Sequence, residues 1–118
     1  MNILSHKIND IEIAEVISDE IIIRSTEDAL DLLGNVYYQG FDRMIIHQEN
    51  LTPDFFDLKN KMAGDILQKF SNYRVRLAIV GDFSKLPGKS LRDFIFESNK
   101  GKMVNFVASV NEALGLLT

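Results

Sequence analysis

Few residues in this 118-residue chain are equipped for chemistry, and their spacing limits what that chemistry is. The nearest approach to a catalytic motif is Pro87-Gly88-Lys89-Ser90, between a strand-like run and a helix-like run. A phosphate-binding loop needs G-x-x-x-x-G-K-[ST], because its glycines let successive N–H groups curl around phosphates. The first glycine of that pattern would fall on Phe83, and Gly81 stands two residues too early. A weaker expectation survives: Lys85, Lys89 and Ser90, gathered at a helix N-terminus, are suited to hold an anion.

The two histidines are His6 and His47. His47 ends a strand-like run with Gln48 and Glu49 beside it, at the edge where open α/β sheets bind ligands. Asp82 and Ser84 follow the next strand in the same way, so the candidate small-ligand or anion set is His47, Asp82, Ser84, Lys85, Lys89 and Ser90. There is no cysteine, which excludes disulfides and thiolate metal sites. One histidine at that edge does not make a metal centre, so neither a metal nor a cofactor is expected. Asp54 and Asp57 sit where acids stabilise a helix start. No nucleophile, base and acid share a readable spacing, and catalysis is not the expected role.

The elements that must position these residues can be read from periodicity. Ile3–Ile8 and Ile11–Val16 are short strands around Asn9-Asp10, a hairpin turn pair. The run IIIR at 21–24 either prolongs that ribbon or stands as a short strand. Ser25 is an N-cap with Glu27 and Asp28 in the first turn. Ala29, Leu30, Leu33, Val36 and Tyr37 follow at helical spacing, and Gly40 stops the helix. RMIIH (43–47) is a buried-type strand, and Thr52-Pro53 opens the next helix. RVRLAIV (74–80) is a strand. Ser90 is the expected N-cap of a helix closed by Gly101. MVNFVA is the last strand, and Ser109 with Glu112 forms a capping box before a C-terminal helix.

The order β-β-α-β-α-β-α-β-α predicts a single α/β domain with a mixed, largely parallel sheet and flanking helices. A chain that is 46% hydrophobic and 25% charged is ordinary for a globular domain. Its net charge of −4 argues against nucleic acid as a partner. The longest apolar runs are too short to span a membrane, and a cytoplasmic location is expected.

One segment stands apart: DFFDLKNKMAGDILQKF, residues 54–70. Phe55, Phe56, Leu58, Met62, Ile66, Leu67 and Phe70 make a wide helical stripe suited to a core. Two adjacent phenylalanines cannot both face the sheet fully, so one is expected to help form an exposed partner surface.

The element order, with an apolar helix after the third strand, resembles the STAS domain of anti-sigma-factor antagonists and sulfate-transporter tails. FFDLKNKMAGDILQKFSNYRVRLAIVGDFS, continuing through SLRDFIFESNKG, resembles more closely a bacterial family called domain of unknown function 4180. In the STAS comparison a D-S-[ST]-G segment carries a phosphorylatable hydroxyl. In the closer family a Thr-Gly pair commonly stands where this chain has Asn60-Lys61, and Asn60 cannot accept a phosphate. The resemblance therefore implies a regulatory or protein-interaction module, with Phe55, Phe56, Asn60, Lys61 and Gly64 as the partner-binding set. A homodimer is a further expectation for a small α/β domain.

Overall fold

Asn9 and Asp10 adopt φ of 53° and 66°, the two positive values that a tight hairpin turn requires. They join β1 (Asn2–Ile8) to β2 (Ile11–Ile17), paired antiparallel from Asn2 opposite Ile17 to Ile8 opposite Ile11. The structure is a computed structural model and describes residues 1–86 and 88–118. From β2 onward the chain alternates: α1 (Thr26–Tyr38), β3 (Arg43–His47), α2 (Met62–Tyr73), β4 (Arg76–Val80), α3 (Lys89–Lys100), β5 (Val104–Val107) and α4 (Val110–Leu117). The five strands lie in sequential order, with β2 to β5 parallel. This is the expected single α/β domain with a mixed sheet.

Crossovers of one hand that always step in the same direction must leave their helices on the same face. Accordingly α1, α2 and α3 pack on Ala14, Val16, Met44, Ile46, Leu77, Ile79 and Phe106. Spacings of three and four put Ala29, Leu32, Leu33 and Val36 of α1, and Ala63, Ile66 and Phe70 of α2, into that core. Burying a side chain such as Phe70 contributes roughly 1.5–3 kcal/mol. The other face carries Ile13, Ile45, Ala78, Val80 and Val107, covered by Ala113 and Leu117 of α4. Arg43 and Arg76 hold α4 down by donating to the carbonyls of Leu117 and Leu116, a favourable place for cations on a helix.

The free edge of β5 is closed by side chains of α3. Ser98 donates to the Val104 carbonyl at 2.6 Å, and Asn99 exchanges two bonds with the main chain of Phe106. Such covering blunts an edge against unwanted pairing.

Three local expectations are corrected. The helix predicted from Thr52-Pro53 begins only at Met62. Before it, Pro53–Phe56 and Leu58–Asn60 form separate 3₁₀ turns. Asp57 breaks the run by capping Lys59 N–H, and Lys61 turns left-handed at φ 64°. The cap of α3 is Gly88, at φ 98°, rather than Ser90, which lies inside the helix. Pro87 of the same motif lies outside the described residues. Tyr37, placed in the apolar stripe of α1, is exposed and packs edge-on against Tyr73. Run 21–24 contributes a single parallel bridge, Ile23 with Leu51.

Candidate functional site

The adjacent phenylalanines divide as their geometry demands. Phe55 is 1% exposed in the core, whereas Phe56 is half-buried and stacks edge-on against it at 5.0 Å. Phe83, from the turn after β4, approaches Phe56 at 6.1 Å and continues the aromatic chain to Phe106. The segment after β3 therefore meets the segment after β4 at Phe56, at the carboxyl edge of the sheet.

Phe56 stands between two open cavities. One, of about 380 Å³, is lined by Ile21, Gln48, Glu49, Leu51, Pro53, Phe56 and Leu86. The other, of about 410 Å³, is lined by Phe56, Asp57, Leu58, Lys59, Gly88, Ser90 and Leu91. They meet at Phe56 as a mainly apolar groove, with Glu49 in one cavity and both Asp57 and Lys59 in the other. Gly81 makes the first cavity's wall possible. A Cβ there would lie 2.6 Å from Gln48 Cβ, so Gln48 can pack over the end of β4 only because residue 81 has no side chain.

The predicted partner set is distributed as follows. Asn60 is a structural clip: its Nδ2 donates to the Asp54 carbonyl at 2.7 Å, and its Oδ1 accepts from Met62 N–H at 2.9 Å. It thus fastens the first 3₁₀ turn to the start of α2. Lys61 is exposed at the left-handed junction, where glycine is usually favoured. Gly64 is exposed on α2, and no heavy atom lies within 4 Å of the Cβ it lacks. It borders a different hollow, shared with Ser98, Gly101 and Met103. Phe56 is the member of the set that lines the groove.

Of the predicted anion set, Asp82, Ser84 and Lys85 come together after β4, whereas Lys89, Ser90 and His47 have other neighbours. Asp82 Oδ1 accepts from Ser84 N–H and from Ser84 Oγ at 2.6 Å, which holds its carboxyl below the usual carboxylate range. Lys85 stands 3.8 Å from Asp82, and Lys89 pairs with Asp93 at 2.9 Å. Ser90 lines the second cavity. His47 meets neither Asp82 nor Glu49.

Instead, His47 joins a cluster that the sequence did not announce. Glu15, buried at 6% exposure, accepts from His6 Nε2 on Oε1 and from His47 Nε2 on Oε2, both at 2.7 Å. Strand alternation places Glu15 on the α4 side of the sheet beside Ile13 and Ile45. Burial, the largest single influence, pushes its carboxyl pKa up, but the hydrogen bonds and charge of the two imidazoles together leave it lowered. An ionised carboxylate only accepts, so each Nε2 carries its proton. No group of three His, Asp or Glu side chains is arranged to hold a metal ion among the described residues.

A protein-family model described as "Domain of unknown function (DUF4180)" matches residues 8–117. The chain belongs to that family. Among solved structures, this DUF4180 domain is similar to a Thermotoga maritima protein provisionally assigned as an anti-sigma factor antagonist. The identity is 13%, the TM-score is 0.49, and the match covers 98% of this chain and 93% of that one. No curated protein matches the chain. No helix among the described residues is long and apolar enough to cross a membrane.

Proposed function

We propose that this DUF4180 domain is a regulatory protein-interaction module that receives an apolar segment of a partner protein in the groove around Phe56. The observation that carries the reading is the placement of that ring. It is anchored edge-on to buried Phe55, yet left half-buried between two open cavities at the carboxyl edge of the sheet. Aromatic side chains held rigid in this way are effective interface anchors. Two open hollows either side of one ring fit successive side chains of a peptide better than a small ligand, which favours one enclosing pocket.

The anion-binding alternative has less support, because Lys85 and Lys89 already have acidic neighbours.

The test places a photo-crosslinking amino acid at Ser90 or Pro53 on the groove rim, with exposed Lys7 as the control position. The expected outcome is one protein captured from both rim positions, absent from the Lys7 position, and lost when Phe56→Ser is added to a chain of unchanged circular dichroism. Equal capture from Lys7, or capture indifferent to Phe56→Ser, overturns the proposal.

A further inference from the structure

The His6–Glu15–His47 cluster is joined to the groove by continuous chain, and that connection defines what it can control. His47 is followed directly by Gln48, Glu49, Asn50 and Leu51, of which Gln48, Glu49 and Leu51 line the first cavity. Glu15 lies in β2, which leads through Ser18 and Glu20 to Ile21, another lining residue. These two segments are sewn together. Asn50, fully buried, donates through Nδ2 to the carbonyls of Ser18 at 2.8 Å and Glu20 at 2.9 Å. Its own carbonyl accepts from Ile22 and Ile23, and Thr52 N–H donates to Ile23. At the sheet end of this seam, the side-chain link between the two segments is Glu15 with His47. Asn50 Oδ1 is buried without a hydrogen-bond partner among the described residues.

We infer that Glu15, His6 and His47 form a proton-operated latch that sets the shape of the Ile21–Leu51 wall of the groove. The inference rests on the groove being the docking surface. Glu15 is faced by His6 from β1 and His47 from β3. The residues opposite it in the strand register, Leu4 and Ile45, and Ile13 before it on the same face are apolar. The remaining cations on the face, Arg43 and Arg76, are at the opposite strand ends and engaged with α4. Glu112, the acid of α4, accepts from Ala108 N–H. With neutral imidazoles the cluster carries one negative charge. Glu15 is an ionised acceptor, so both bonds are already charge-assisted; a proton added to His47 makes its bond an ion pair between β2 and β3. Protonation of His47 thus tightens β2 against β3 and draws the two wall segments together, whereas protonation of His6 tightens β1 against β2.

The test is a pH titration of the intact domain by carbon–proton NMR, needing no partner. The imidazole signals of His6 and His47 are followed together with the methyls of Ile21, Leu51 and Leu91. The expected result is that Ile21 and Leu51 move with the imidazoles, while Leu91, in the second cavity and off the latch segments, does not. Glu15→Gln is expected to shrink the Ile21 and Leu51 response severalfold. His47→Gln, at a part-exposed site, does the same should the buried variant fold poorly. Static Ile21 and Leu51 signals beside titrating imidazoles, or a full response in both variants, overturn the latch. Loss of rim cross-linking with the titration intact would instead overturn the groove as docking surface.

Discussion

Glu15 and His47, 32 residues apart, meet at 2.7 Å across the parallel seam between β2 and β3. Because the native Glu15 carboxyl lies below its ordinary range, it binds protons less readily folded than unfolded. Its stabilising contribution is therefore complete above the unfolded glutamate value of about 4.3 and is lost as pH falls from there through the lower native value. Urea midpoints taken from about pH 6 to about pH 3 should fall more steeply for the wild-type chain than for Glu15→Gln. At neutral pH the variant should be less stable by roughly 1–3 kcal/mol, since one histidine N–H then faces an amide that cannot accept from both rings. Equal acid slopes would show that Glu15 is not depressed.

Gly81→Ala is expected to lose about 1–3 kcal/mol, the usual cost of forcing an extra methyl into filled space. It meets Gln48 Oε1, which can swing aside, and Gln48 Cβ at 2.6 Å, which cannot. Moving it shifts the first turn after β3 and with it the groove wall. The check is chemical denaturation of Gly81→Ala beside Gly101→Ala, where the nearest atom to a new Cβ is the Ser98 carbonyl at an ordinary 3.8 Å.

These two cases also show which parts were legible from sequence. The hairpin turn, the caps at Ser25 and Ser109, the element order and the conflict between Phe55 and Phe56 all rest on local spacing. The split of 52–73 was not legible, because it depends on Asp57 and Asn60 each bonding main-chain groups nearby and so competing with a continuous helix. The histidine cluster needed the strand register. Its trace in the sequence is alternation alone: His6, Glu15 and His47 fall at polar positions on a face otherwise occupied by Ile13 and Ile45. Nothing in one chain says that β3 will lie beside β2.

Lys61 and Gly64 are each the less favourable residue for their backbone. Lys61 holds φ 64°, where a side chain costs about 1–2 kcal/mol. Gly64 sits in an open helical position with room for a methyl. Lys61→Gly and Gly64→Ala are each expected to raise stability by about 0.5–1 kcal/mol. Lys61→Ala, which keeps the strain, should not. Thermal or urea unfolding of the three variants reads this directly. Should Gly64→Ala stabilise the fold yet weaken partner capture, the bare helix surface at Gly64 would belong to the interface.

The final prediction separates the two phenylalanines. Phe55→Ala removes a ring that is 1% exposed and packed on the α1–α3 side of the sheet, and is expected to cost about 3–5 kcal/mol. Phe56→Ala gives up a half-buried ring whose loss opens no sealed cavity, because hollows already lie on both sides of it. Its cost should be well below that of Phe55→Ala, leaving the domain folded under ordinary conditions. Partner capture should follow the opposite order: a destabilised Phe55→Ala domain that remains folded still presents the Phe56 edge, whereas Phe56→Ala does not. The decisive comparison is capture per folded molecule, from cross-linking at Ser90 normalised by the native fraction in the same sample. If capture tracks stability through both variants, Phe56 is only part of the core, and the groove has no binding role of its own.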